Sequence, residues 1–151
     1  MFGVFTGMVQ TGYLGRKTIM FWYSLAMGAF LITLGMSLKQ HNPGNTPLPL
    51  ILGFCFCFQA SSGPVTWLYM AEIMQEKGLS IATVLNWLFT LFFSFVTPTI
   101  KTSYGLPGIG TLFQLVGVTT LLCAAFVSAC MKETRGRSLE ERKKLYYEIP
   151  K

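Results

Sequence analysis

Along the chain, long apolar stretches alternate with short clusters of charge and turn residues. No residue between positions 48 and 71, or between 79 and 100, carries a charge. Each stretch exceeds the roughly 20 residues needed to cross the hydrocarbon core of a bilayer. Two further uncharged segments, 18–38 and 108–131, have the same character. The pattern predicts an all-α, multi-pass transmembrane helix bundle with four complete spans. Segment 1–14 is apolar but too short to cross, so it reads as the last turns of a partial helix. Between the spans lie the Gly15-Arg16-Lys17 turn, a loop at 39–47 rich in Pro, Gly and Asn, a charged loop at 72–78 and a linker at 101–107. The bundle occupies 1–131 and a polar tail occupies 132–151.

The second span carries a local conflict. Gly63-Pro64 sits inside it, and Pro64 has no N–H to give the carbonyl of Ala60. The expectation is a helix break at this pair, with Trp67 and Glu72 on the following turns. Freed backbone at membrane depth is tolerated only against protein or a wet cavity, which makes the break a solute-site marker. In the third span Thr83, Asn86, Thr90, Ser94 and Thr97 recur at steps of three and four, forming one polar stripe. Gln59, Ser62, Gly63 and Thr66 make a second stripe across the break. Both stripes should face other helices or a water-filled path. Any single Ser or Thr there fits interhelical packing, whereas Asn86 beside Trp87 and Gln59 beside the break are candidates for solute contact. In the first span Ser24, Gly28 and Gly35 read as close helix packing.

Composition agrees with the membrane reading: 52% of residues are hydrophobic and 12% are charged, against about 25% charged in soluble domains. The net charge of +6 would suit a nucleic-acid partner, but its placement argues against one. Putting the Arg16 turn, the 72–78 loop and the tail on one side collects ten of the twelve basic residues there, leaving Lys39 and Lys101 opposite. That asymmetry makes the crowded side, tail included, cytoplasmic. The same residues are compatible with anionic lipid headgroups of the bilayer. Cys55, Cys57, Cys123 and Cys130 fall in or at the ends of spans, match no zinc spacing and read as small hydrophobes. No basic n-region or small-residue cleavage site precedes Arg16, so no cleavable signal peptide is visible. His41 lies among turn residues and reads as solvated. With no carboxylate pair in a span, no nucleophile elbow and no phosphate loop, the expectation is no enzyme, no cofactor and no metal. In the tail, Ser138 and Glu141 have capping-box spacing for a short mixed-charge surface helix.

These motifs, in this order, resemble the C-terminal half of a sugar porter of the major facilitator superfamily. Gly15-Arg16-Lys17 is similar to the basic motif between helices eight and nine. Phe58-Gln59 with Gly63-Pro64-Val65-Thr66-Trp67 is similar to the broken tenth helix, and Ala71-Glu72 to the acidic residue that closes it. Leu79-Ser80-Ile81-Ala82-Thr83 followed by Asn86-Trp87 resembles helix eleven. Glu133-Thr134-Arg135-Gly136-Arg137-Ser138-Leu139-Glu140-Glu141 resembles the signature after helix twelve. The resemblance implies a partial fold, from the end of helix eight through helix twelve. It also implies hexose-like sugar transport by alternating access at the plasma or vacuolar membrane, with binding and conformational exchange but no covalent step. Phe58 and Trp67 would line the sugar cavity, Gln59 and Asn86 would hydrogen-bond sugar hydroxyls, and Trp87 would pack at its wall. Arg16, Lys17, Glu72, Glu133 and Arg137 would form a gating charge network. The pattern departs from the family at Gly12 and Lys132, and in the shortened 72–78 loop. The partner implied beyond the sugar and the lipid is an N-terminal six-helix bundle. Without it, such a half is expected not to transport alone. The alternative reading is a non-transporting membrane sensor or interaction subunit derived from a sugar porter.

Overall fold

The structure, a computed structural model, describes residues 13–40 and 44–134 together with positions 3, 7, 10 and 136. Among the described residues four helices can be bounded: α1 (Arg16–Lys39), α2 (Pro47–Ala60), α3 (Ser62–Ile73) and α4 (Glu76–Cys130). At about 1.5 Å per residue, the 24 residues of α1 reach some 36 Å, enough for a bilayer core. Among the described residues three units are long and apolar enough to cross a membrane: Arg16–Lys39, Pro47–Ile73 and Glu76–Cys130. Positions 3, 7, 10 and 13 are also helical, and most of the remaining partial helix expected over 1–14 lies outside the described residues. His41 and the tail positions Ser138 and Glu141 lie outside the described residues.

The second span is broken, but two residues earlier than the Gly-Pro pair suggests. The non-helical residue is Ser61 (φ −136, ψ −80), and α3 begins at Ser62. Gly63 and Pro64 therefore occupy the first turn of α3, where N–H groups have no helical acceptor and proline costs nothing. A proline constrains the residues before it, so the distortion falls upstream of Pro64. Ser61 is fully buried, and its hydroxyl donates to the carbonyl of Cys57 at 2.9 Å. Gly7 lies over the break, where a Cβ would collide with the carbonyl of Ala60.

The linker expected at 101–107 is also different. Helix α4 continues to residue 104, breaks at Gly105 (φ 65, ψ −155) and resumes at 106. Only a residue without Cβ adopts that backbone cheaply, so one glycine replaces a loop. Pro107 falls in the first turn of the second arm, where its missing N–H is harmless. The arms 76–104 and 106–130 run in opposite directions. The 72–78 loop likewise shrinks to Met74 and Gln75 between α3 and α4.

Helix α1 lies antiparallel against the second arm of α4, with glycines on both sides. A Cβ on Gly110 would sit 2.7 Å from the Gly35 carbonyl oxygen, and one on Gly117 would sit 3.1 Å from that of Gly28. The close packing expected of Gly28 and Gly35 is thus present. At the end of this pair Lys39 Nζ donates to Gln114 Oε1 at 2.5 Å. At the opposite end Tyr69, Val127 and Met131 form a buried cluster flanked by Met20, Phe21 and Ile73. The first arm of α4 is mostly exposed along its apolar side chains, a surface suited to lipid chains or further helices. None of the four cysteines is in a disulfide, and Cys57 is buried.

Candidate functional site

Two constellations emerge. The first is a polar latch where the N-terminus of α1 meets the ends of α3 and α4. Arg16 Nη2 pairs with Glu72 Oε1 at 2.6 Å, and the two side chains are only 15% and 7% exposed. Thr134 bridges them: its hydroxyl accepts from Arg16 Nη1 at 3.0 Å and donates to Glu72 Oε2 at 3.1 Å. Thr134 is fully buried.

Glu133 acts on the backbone. Helix α1 has no capping side chain of its own. The Glu133 carboxylate instead accepts from the N–H groups of Arg16 (3.0 Å) and Lys17 (3.1 Å), and also from that of Thr134 (3.1 Å). An anion on the first N–H groups satisfies orphan donors and complements the helix dipole. Gly15 leaves room for it, since a Cβ there would collide with the carboxylate. Replacing Glu133 by Ala should lower stability by about 1 kcal/mol, a typical capping loss. Thermal unfolding of the detergent-solubilised protein checks this, and an unchanged midpoint would rule the cap out.

Of the five residues expected in this network, Arg16, Glu72 and Glu133 therefore meet. Lys17 joins through its backbone N–H, and Arg137 lies outside the described residues. Thr134 was not singled out. Its only signal was its place inside the Glu133-Thr134-Arg135 run. Tyr69 was missed too, and its hydroxyl donates to the Lys132 carbonyl at 2.9 Å, tying α3 to the chain leaving α4.

The second constellation is a groove of about 880 Å³ between α2 and the first arm of α4. Phe54 and Phe58 form one wall, Phe89 and Phe93 another, and Asn86, Thr90, Ser94, Thr97 and Pro98 complete it. Phe58 and Asn86, expected to share a site, do share this groove. Four members of the polar stripe line it. Gln59, Trp67 and Trp87 do not: Gln59 turns toward Gly3, and Trp87 is 66% exposed on another face. Phe54, Phe89 and Phe93 were missed because apolar residues abound in every span. The four-residue step from Phe89 to Phe93 was the available signal.

Membrane-length helices, a broken span, a solute-sized groove and a latch at one end define an integral membrane protein of the major facilitator fold. The chain belongs to the sugar (and other) transporter family, whose model matches residues 1–146. A facilitated trehalose transporter homolog of Drosophila simulans is 33% identical over 161 aligned positions, covering 99% of this chain and 32% of its own length. The arabinose-proton symporter of Bacillus subtilis is 34% identical over 137 positions, covering 87% and 29%. Among solved structures, the inward open conformation of the xylose transporter XylE from E. coli superposes with a TM-score of 0.84 at 28% identity, over 95% of this chain and 33% of that one. The chain spans about a third of the length of these proteins.

Proposed function

We propose that this chain contributes the C-terminal share of a sugar permeation path and works by reversible binding and conformational exchange. The observation that carries this reading is the meeting of Phe58 and Asn86 in one groove along the Thr–Ser stripe. A pyranose presents an apolar C–H face and a rim of hydroxyls, and the groove offers phenyl faces beside an amide that both donates and accepts. Gln59, Trp67 and Trp87 belong to this proposal as groups that approach the solute in another conformation, since they flank the groove along the chain. An N-terminal bundle would supply the facing wall, and rocking of one bundle against the other would give alternating access.

The latch is the proposed gate. The Arg16–Glu72 pair and its Thr134 bridge would form in one conformation and separate in the other, biasing the equilibrium between them. The excess of basic residues at that end supports a cytoplasmic position for it and for the tail.

The test is equilibrium binding of labelled sugars to the chain reconstituted in lipid nanodiscs. Asn86→Ala should weaken binding about tenfold, the loss expected for one well-placed polar contact. Absence of saturable binding by any mono- or disaccharide would overturn the reading.

A further inference from the structure

Resting on that reading, we infer that the groove holds two ring-sized stations in series and is built for a disaccharide. The second station is formed by Phe54, Phe93, Ser94 and Thr97. Helix α2 and the first arm of α4 line the groove and run in opposite directions, so low numbers on one face high numbers on the other. Phe58 therefore lies toward Asn86, Phe89 and Thr90, while Phe54 lies toward Phe93, Ser94 and Thr97.

The two sets repeat one another. On α2, the Phe54 and Phe58 rings are near-parallel, at 25°, with centroids 6.3 Å apart. On α4, Phe89 and Phe93 are separated by four residues, about 6 Å of helix rise. Asn86, Thr90 and Ser94 follow the same step, so each aromatic pair has a polar partner at its own level. A single ring would use one level. Two linked rings would use both.

The polar groups also differ in sense. Thr90 donates its hydroxyl proton to the Asn86 carbonyl at 2.9 Å, and Ser94 donates to the Thr90 carbonyl at 2.8 Å. Their protons are committed within the helix, and what they turn to the groove are lone pairs. Pro98, which also lines the groove, has no N–H for the Ser94 carbonyl and so leaves that acceptor without its helical donor. The second station is thus acceptor-rich. It suits hydroxyl groups acting as donors, while Asn86 supplies amide N–H donors at the first station. A second ring bearing free hydroxyls fits these acceptors, whereas an O-methylated or fluorinated ring does not.

The deciding experiment compares binding of glucose, maltose and trehalose, and a disaccharide O-methylated on one ring, to the chain in nanodiscs. One of the two free disaccharides should bind at least tenfold more tightly than glucose. Phe93→Ala and Ser94→Ala should remove that advantage, lowering disaccharide affinity at least fivefold more than glucose affinity. O-methylation should act like Ser94→Ala. Glucose binding equal to both disaccharides, or an advantage that survives both substitutions, would overturn the second station while leaving the sugar reading intact. Failure of every sugar to bind would overturn both. Circular dichroism of each variant shows that its helices are retained, and Ser94→Cys, which keeps side-chain size, serves as a second variant if Ser94→Ala misfolds.

Discussion

Glu72→Met should be among the most damaging single substitutions in this chain, costing about 3–5 kcal/mol, the usual loss when one partner of a buried ion pair is removed. Arg16 is held at 85% burial by its pairing with Glu72 and its bond to Thr134, whereas its Nε has no partner among the described residues. Removing the carboxylate leaves a guanidinium in a largely dry site, and the desolvation already incurred is no longer offset. Replacing both partners, as in Arg16→Met with Glu72→Met, should be milder than Glu72→Met alone, because an apolar pair carries no such penalty. The measurement is a double-mutant cycle on unfolding free energy in detergent. Additivity within about 0.5 kcal/mol would show that the two side chains are not coupled. If the latch gates as proposed, the same substitutions shift the balance of conformations, visible as altered accessibility of a cysteine introduced by Ser94→Cys.

Gly35→Leu is the second large expectation. Helix α1 and the second arm of α4 approach so closely that a Cβ on Gly35 would fall on the Gly110 carbonyl, and one on Gly110 would lie 2.7 Å from the Gly35 carbonyl. These neighbours are backbone atoms in helices and cannot rotate aside. A leucine must push the helices apart, losing the contacts at Gly28 and Gly117 as well. The cost should reach about 3 kcal/mol, the upper part of the overpacking range. In membranes such small-residue seams supply much of the association, since lipid offers no hydrophobic drive between helices. Gly78→Ala is the internal comparison: its nearest neighbour is Met74 Cβ at 3.7 Å, ordinary contact, and alanine should be neutral or slightly stabilising there. Thermal unfolding separates the two, and equal behaviour would show that the seam is not tight.

The candidate sites were legible to different depths. Asn86 and the stripe below it were visible because polar residues at helical spacing stand out against an apolar background. Phe58 could be placed only through its neighbourhood to the break. Trp67 and Trp87 look as functional in sequence as Phe58, yet neither lines the groove in this conformation. Gly63-Pro64 correctly announced a break, but the residue that distorts is Ser61, because strain from a proline falls on the turn before it. The 101–107 linker looked like a loop from its Lys, Ser, Gly and Pro content. A single glycine at positive φ sufficed, and the flanking residues stayed helical.

What the sequence by itself determined is what depends on local composition and period. It specified apolar lengths that cross a bilayer, the end at which charge collects and the helix face that is polar. Each follows from transfer free energies and helical spacing within about 20 residues. The tertiary structure alone decided which distant groups meet. Glu133 caps the first turn of α1 from 117 residues away, and Thr134 closes the Arg16–Glu72 pair. Phe54 and Phe93 face one groove although on different helices. Such contacts depend on the register and rotation of packed helices, and these are set by glycine seams and a one-residue kink rather than by any short-range pattern.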